Sequence, residues 1–86
     1  MLFGRFFRLN TATLAIAVIN GQRKFITVHP GSVLKVISRC ADRPNAMVDV
    51  LVDGDLVEMF AVDVRRRSDE VNGVSLQVQV AAEQGR

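Results

Sequence analysis

The sequence predicts an all-β domain: a small five-stranded antiparallel barrel with a short N-terminal segment packed on it. From about residue 11 onward, Val, Ile, Leu, Thr and Phe alternate with polar residues at a period of two, as in strands with one buried face. The dipeptides Asn20-Gly21 and Asp53-Gly54 are typical of two-residue hairpin turns. Short strands joined by tight turns leave open sheet edges, and closure into a small barrel removes those edges.

The predicted elements follow the chain in order. Six segments have strand-like composition, one more than the five strands of the predicted barrel: residues 13–19, 23–28, 32–38, 47–52, 55–61 and 74–80. His29-Pro30-Gly31 predicts a turn, because proline presets φ and glycine supplies the positive φ of a type II corner. Residues 62–68 break the alternation and predict a turn or a single helical turn.

The hairpin of residues 47–61 has a register that its two-residue turn fixes. This register pairs Val50 with Val57 on the side of the sheet that is apolar and therefore faces the core. On the other side it pairs Asp49 with Glu58. Like charges directly opposite each other are unfavourable unless water, an arginine or a partner lies over them.

A resemblance to a known fold rests on residues 48–67, VDVLVDGDLVEMFAVDVRRR. This run contains a DG hairpin, a strand and a one-turn break, and it resembles the end of Src-homology-3-like barrels. It is especially similar to short uncharacterised bacterial proteins of that fold. The resemblance extends over residues 11–80 and implies an architecture without a catalytic signature.

The domain organisation is bounded by length, because 86 residues form one core and no more. We predict an apolar and basic N-terminal segment at residues 1–10, the barrel at residues 11–81 and a tail at residues 82–86. Residues 1–46 hold seven Lys or Arg against one Asp, whereas residues 47–86 hold four Arg against eight Asp or Glu. The two halves therefore carry +6 and −4, which favours a basic and an acidic side if the halves lie apart.

The compartment is suggested by the single cysteine, Cys40, which cannot form an internal disulfide. A reducing, cytoplasmic location is predicted. Arg5 and Arg8 precede an apolar stretch as in a signal peptide, but Asn10 and Thr11 interrupt that stretch. No run reaches the roughly eighteen apolar residues of a membrane helix, so we expect no stable membrane insertion.

Catalytic and metal-binding groups are few. His29 precedes a proline in a turn, and nothing in the spacing brings it to Cys40 or to a serine. Structural zinc requires four Cys or His ligands, and the chain has one of each. The acidic residues Asp53, Asp55 and Glu58 lack the spacing of an EF-hand loop. We predict no catalytic residue, no cofactor and no metal, and hence a protein that is not an enzyme.

An oligomeric enzyme with a shared pore is the third hypothesis. Residues 54–67 are similar to the strand and turn that line the pore of the plasmid-encoded type II dihydrofolate reductases, which are short chains of the same fold. Where that family has Gln-Ile-Tyr-Pro, this chain has Glu58, Met59, Phe60 and Ala61. The contacting pattern differs, so the activity is not transferred.

Nucleic-acid binding by an accessory protein is the second hypothesis. It rests on Arg65, Arg66 and Arg67 as contacts for phosphate or another anion, together with the basic first half of the chain. The three arginines lie in a turn, where side chains are solvated. The other interpretation is that these arginines are surface charge, or ion-pair partners of Asp63 and Asp69.

The favoured hypothesis is a non-catalytic interaction or regulatory module, a homo-oligomer or a binder of another protein. Residues 14–19 are apolar on both faces of their strand, so either the N-terminal segment or a second subunit must cover the outer face. The candidate interface consists of Phe3, Phe6, Phe7, Ala15, Ala17 and Ile19.

Overall fold

A computed structural model describes residues 2–71 of the chain. The predicted strand at residues 74–80 and the tail at residues 82–86 lie outside the described residues. The described part is mostly strand, which confirms the all-β prediction. Its elements are β1 (Phe6–Leu9), β2 (Thr13–Ile19), β3 (Gln22–Val28), β4 (Val33–Val36), β5 (Met47–Val52), β6 (Asp55–Phe60), α1 (Ala61–Arg66) and β7 (Ser68–Val71).

The strands of residues 2–71 form one antiparallel sheet of seven strands in the order β3-β2-β6-β5-β4-β1-β7. The prediction of a closed five-stranded barrel is therefore wrong. Two additional short strands, β1 and β7, extend the sheet beyond β4. They leave β3 and β7 at opposite ends, and no pairing joins these two strands within residues 2–71.

The two predicted hairpin turns have the backbone that their sequences require. Asn20 and Gly21 have φ values of 52° and 78°, and Asp53 and Gly54 have φ values of 52° and 84°. Positive φ at both central residues is the type I′ geometry, whose twist matches that of the flanking strands. The predicted register of the second hairpin is confirmed, with Val50 opposite Val57 and Asp49 opposite Glu58.

The prediction that the N-terminal segment packs on the barrel is wrong, because Phe6–Leu9 of this segment form a strand of the sheet itself. β1 lies between β4 and β7, with Phe7 opposite Leu34 and Leu9 opposite Ser68. Phe7 and Leu9 face the core and are 6% and 2% exposed. The alternation of buried and partly exposed residues along β1 is that of an ordinary strand.

The break after β6 is the short helix α1, which confirms the predicted helical turn. Ala61 and Val64 are its buried residues. The helix ends where the Arg67 amide donates to the Asp63 carbonyl, and the Ser68 hydroxyl then donates to the Val64 carbonyl. Within residues 2–71, no helix is long and apolar enough to cross a membrane.

The core lies on the inner face of the sheet. Its largest fully buried side chains come from β1, β4, β5, β6 and α1: Leu9, Leu34, Val36, Val48, Val50, Met59 and Val64. Strand β2 contributes only small groups to this core, because Ala15 is buried and Ala17 packs at its margin. The outer face of the same sheet carries exposed apolar side chains, which are candidates for binding a partner.

Candidate functional site

An exposed apolar surface covers the outer face of three neighbouring strands, β3, β2 and β6. We call it the apolar face and define it by Leu14, Ile16, Val18, Phe25 and Leu56. Four of these side chains are more than half exposed: Leu14 at 56%, Val18 at 66%, Phe25 at 68% and Leu56 at 57%. Soluble monomers rarely expose contiguous apolar groups of this kind, so the apolar face is a candidate interface.

The strand register places these side chains on one side of the sheet. Ile16 lies opposite Phe25 on one neighbouring strand and opposite Glu58 on the other. Residues two apart on a strand point to the same side. Val18 and Leu56 therefore follow Ile16 and Glu58 toward the same end of the sheet and extend the apolar face in that direction.

Charged groups of both signs border the apolar face. Arg23 Nη2 lies 2.8 Å from Glu58 Oε1, so an arginine covers the like-charge pair of Glu58 and Asp49, as the sequence required. Asp49 lies opposite Glu58 on the same side of the sheet. Among residues 2–71, Asp49 lacks an ion-pair partner within 4.0 Å.

The interface residues that the sequence predicted on strands do not form one surface in the structure. Phe7 and Ala15 are 6% and 2% exposed and belong to the core. Ala17 packs against the core, whereas Ile19 is 41% exposed at the end of β2. Phe6 is on the outer face of β1, with Lys35 Nζ 5.5 Å from its ring centroid. The alternation along β2 was placed one residue out of phase, because both of its faces are apolar.

The described part of the N-terminal segment, residues 2–10, lies away from the apolar face. β1 pairs with β4 and β7, and three strands separate it from β2 in the sheet order. The sequence suggested that either the N-terminal segment or a second subunit covers the outer face of β2. The place of β1 in the sheet excludes the N-terminal segment. The high exposure of Val18 and Phe25 agrees with this placement.

A cleft elsewhere on the molecule brings together groups that are distant in sequence. We call it the arginine cleft, and its lining residues are Phe3, Arg39, Cys40, Ala41, Asp42, Arg43 and Arg65. Of the predicted arginine triplet, Arg65 is in this cleft, while Arg67 Nε is 3.5 Å from Asp63 Oδ1. Arg66 is exposed. Successive helical residues point about 100° apart, so the triplet does not act as one block of charge.

The few groups suited to catalysis are divided between two regions. His29 and Ser32 line a depression near Asp53 and Asp55, but no side-chain hydrogen bond joins these four residues within the described chain. Cys40 lies in the arginine cleft instead, with its thiol donating to the Ala41 carbonyl at 3.2 Å. Residues 2–71 contain no cluster of three His, Cys, Asp or Glu residues arranged to hold a metal ion.

Comparisons with protein-family models, with curated proteins and with solved structures gave no match to this chain. The functional argument therefore rests on the apolar face and the arginine cleft themselves.

Proposed function

We propose that this protein is a non-catalytic interaction module that associates with a second copy of itself through the apolar face. The observation that carries the proposal is the exposure of Leu14, Val18, Phe25 and Leu56, each above half, on one side of adjacent strands. Burying a side chain of this size contributes about 1.5–3 kcal/mol. A surface of several such groups is a strong driving force for association.

A second copy fits this surface because its border carries both charges. In a two-fold dimer the same patch meets itself, so the patch must complement its own charges. Within residues 2–71 Asp49 has no ion-pair partner, so Asp49 of one copy and Arg23 of the other can meet across such a contact. A partner of one charge sign would leave one of these two groups unmatched.

Contact through the face of the sheet is favoured over contact through its edge. Within residues 2–71 β3 is an end strand of the sheet, and the open edge of an end strand is a template for strand addition. Lys24 lies opposite Ala17 and so points to the inner side of that edge strand. Natural sheets use an inward charge at an edge to prevent edge pairing. The apolar face therefore packs against its copy as a layer, and β3 does not extend the sheet.

The decisive experiment compares Val18→Glu with Phe3→Glu by sedimentation equilibrium and circular dichroism. Val18 is the most exposed side chain that β2 contributes to the proposed contact, and it lies opposite Arg23, which tolerates a carboxylate, so the monomer should keep its fold. We expect the dimer dissociation constant of Val18→Glu to rise by roughly 100-fold, because the symmetric contact contains the change twice. Phe3→Glu, at the arginine cleft, should dimerise as the unmodified protein does.

Three outcomes would contradict the proposal. One is a wild-type chain that remains monomeric at high micromolar concentration. Another is loss of the dimer in Phe3→Glu and not in Val18→Glu, which would place the contact on the N-terminal phenylalanines. The third is a monomeric wild type that Val18→Glu unfolds, which would mean that residues 72–86 cover the apolar face within one chain.

The finer sequence predictions remain part of this proposal. They are the likeness to Src-homology-3-like proteins, the reducing cytoplasmic compartment and the absence of catalysis. The nucleic-acid hypothesis receives no separate support as the sequence framed it, because Arg65 and Arg67 have different surroundings. Binding of a small anion by Arg65 is distinct from nucleic-acid binding by the arginine triplet.

A further inference from the structure

The arginine cleft unites groups from three parts of the chain. The loop between β4 and β5 supplies Arg39 and Arg43, helix α1 supplies Arg65, and the N-terminal turn supplies Phe3. The cleft has a volume of about 360 Å³. Ligand pockets range from about 300 to 1,000 Å³, so this cleft has room for one small ligand.

Backbone hydrogen bonds fix the loop relative to the helix. The Ala61 amide, at the start of α1, donates to the Ala46 carbonyl at 2.9 Å, and Ala46 is 1% exposed. At the other end of the loop, the Asp49 amide donates to Ser38 Oγ at 2.8 Å. The loop that carries Arg39 and Arg43 is thus attached at both ends, and one attachment is to the helix that carries Arg65.

Phe3 is held by a turn. The Arg5 amide donates to the Leu2 carbonyl at 3.1 Å, and Gly4 has a φ of 79°, the value that a type II turn needs at its third position. Leu2 is 6% exposed and anchors this turn in the core. Phe3 therefore projects from a fixed position although it is 47% exposed.

The cleft carries an excess of positive charge. Arg39, Arg43 and Arg65 against Asp42 give +2. Arg5, Arg23 and Arg67 each have a carboxylate within 4.0 Å, whereas within residues 2–71 none of the three cleft arginines has one. Their guanidinium groups keep N–H donors for a ligand, and the planar fork of arginine suits the oxygens of phosphate.

The Phe3 ring adds an apolar wall and orients one arginine. Arg39 Cζ lies 5.1 Å from the centroid of the ring, a cation–π contact. This contact restrains the Arg39 guanidinium at the cleft and leaves the rest of the Phe3 ring accessible. A ligand that combines an anionic group with an organic body would use both features.

We propose that this cleft binds a small organic phosphate, with its phosphate between Arg39, Arg43 and Arg65 and its organic part against Phe3. A phosphate monoester carries about −1.5 to −2 charges at neutral pH, which matches the cleft, whereas a carboxylate carries half of that. The ligand class is a phosphate monoester with a ring, and a mononucleotide is the simplest member. This site is separate from the apolar face, so it does not depend on self-association.

The test is calorimetric titration of the full chain with adenosine 5′-monophosphate, ribose 5-phosphate and inorganic phosphate. Arg43→Ala and Arg65→Ala should each weaken binding of all three probes by roughly tenfold or more, because each removes a charge-assisted contact. Arg66→Ala is the matched control, since Arg66 is adjacent to Arg65 and outside the cleft. Phe3→Leu should weaken binding of adenosine monophosphate and leave inorganic phosphate unchanged.

Arg65→Lys separates the role of the fork from that of the charge, and it keeps the test valid if an alanine variant unfolds. It should retain part of the affinity, because lysine keeps the charge and loses bidentate geometry. Absence of binding of all three probes at millimolar concentration would overturn the proposal, as would equal losses in Arg66→Ala and Arg65→Ala. Much tighter binding of an oligonucleotide, with a steep salt dependence, would replace it with the nucleic-acid hypothesis.

Discussion

The two type I′ hairpins of this protein have the same local geometry and opposite surroundings. The β5–β6 hairpin has β4 on one side and β2 on the other, and its inner residues Val48, Val50 and Met59 are at most 1% exposed. The β2–β3 hairpin lies at the end of the sheet, and on its inner side Ile19 is 41% exposed and Lys24 is exposed. Local sequence determines that a hairpin forms, whereas its neighbours determine which residues become core.

The largest expected effect on the free energy of unfolding comes from a substitution on the inner side of β6, compared with one on the outer side of the same strand. Met59→Ala removes a fully buried side chain and should lower the free energy of unfolding by about 2–5 kcal/mol. Leu56→Ala, on the outer side of the same strand, removes a side chain that is 57% exposed and should cost less than about 1 kcal/mol. Urea titration of both variants at a concentration that keeps the chain monomeric measures the difference. Equal costs would mean that the apolar face is buried in the monomer.

An intermediate effect is expected at the turns, where the two hairpins are alike. Gly54→Ala and Gly21→Ala place a side chain at φ values of 84° and 78°, with nothing within 4 Å to clash. The cost is therefore backbone strain alone, about 1–2 kcal/mol in each case. Thermal unfolding of the two variants measures it. A cost at Gly54 and none at Gly21 would show that the β2–β3 turn is not held in its hairpin conformation.

The smallest effect concerns the ion pair that joins the two hairpins. Arg23→Ala removes the cation from Glu58 and leaves Glu58 opposite Asp49, so we expect a loss of about 0.2–1 kcal/mol. The loss should shrink at high salt and in a Glu58→Gln background, because the repulsion depends on both carboxylates. A double-mutant cycle measured by urea unfolding checks this. Persistence of the full loss in the Glu58→Gln background would mean that Arg23 acts by packing and not by charge.

The sequence predicted best the parts of the fold that local patterns control. The bounds of β2 and β5 agree with the alternation of apolar residues, and both hairpin turns follow from Asn-Gly and Asp-Gly. β1 was missed because four residues, Phe6–Leu9, are too few to separate a strand from a helical turn by periodicity. β7, with the sequence SDEV, has low strand propensity and is a strand because β1 provides its hydrogen bonds.

The candidate sites were less predictable because they depend on contacts distant in sequence. On β2, either phase of the alternation gives an apolar face, and only the pairing of Ile16 with Glu58 shows which side is outer. The arginine cleft joins Arg39 and Arg65 through the hydrogen bond from Ala61 to Ala46. No spacing or motif in the sequence signals that pairing. The sequence shows which residues are arginines, but it does not show that those of the cleft lie together in the fold.

The position of β1 between β4 and β7 also determines when these strands can pair during synthesis. Phe6 lies opposite Val71, so it pairs with a residue translated 65 positions later. During synthesis β1 can pair with β4 early. The backbone groups on the other edge of β1 cannot pair with β7 until Val71 has left the ribosome. Pairings so distant along the chain slow folding, because a large loop must close before any contact compensates its entropy. The pairing of β1 with β7 therefore cannot form before Val71 is available, and until then the open edge of β1 is exposed to aggregation and to chaperones.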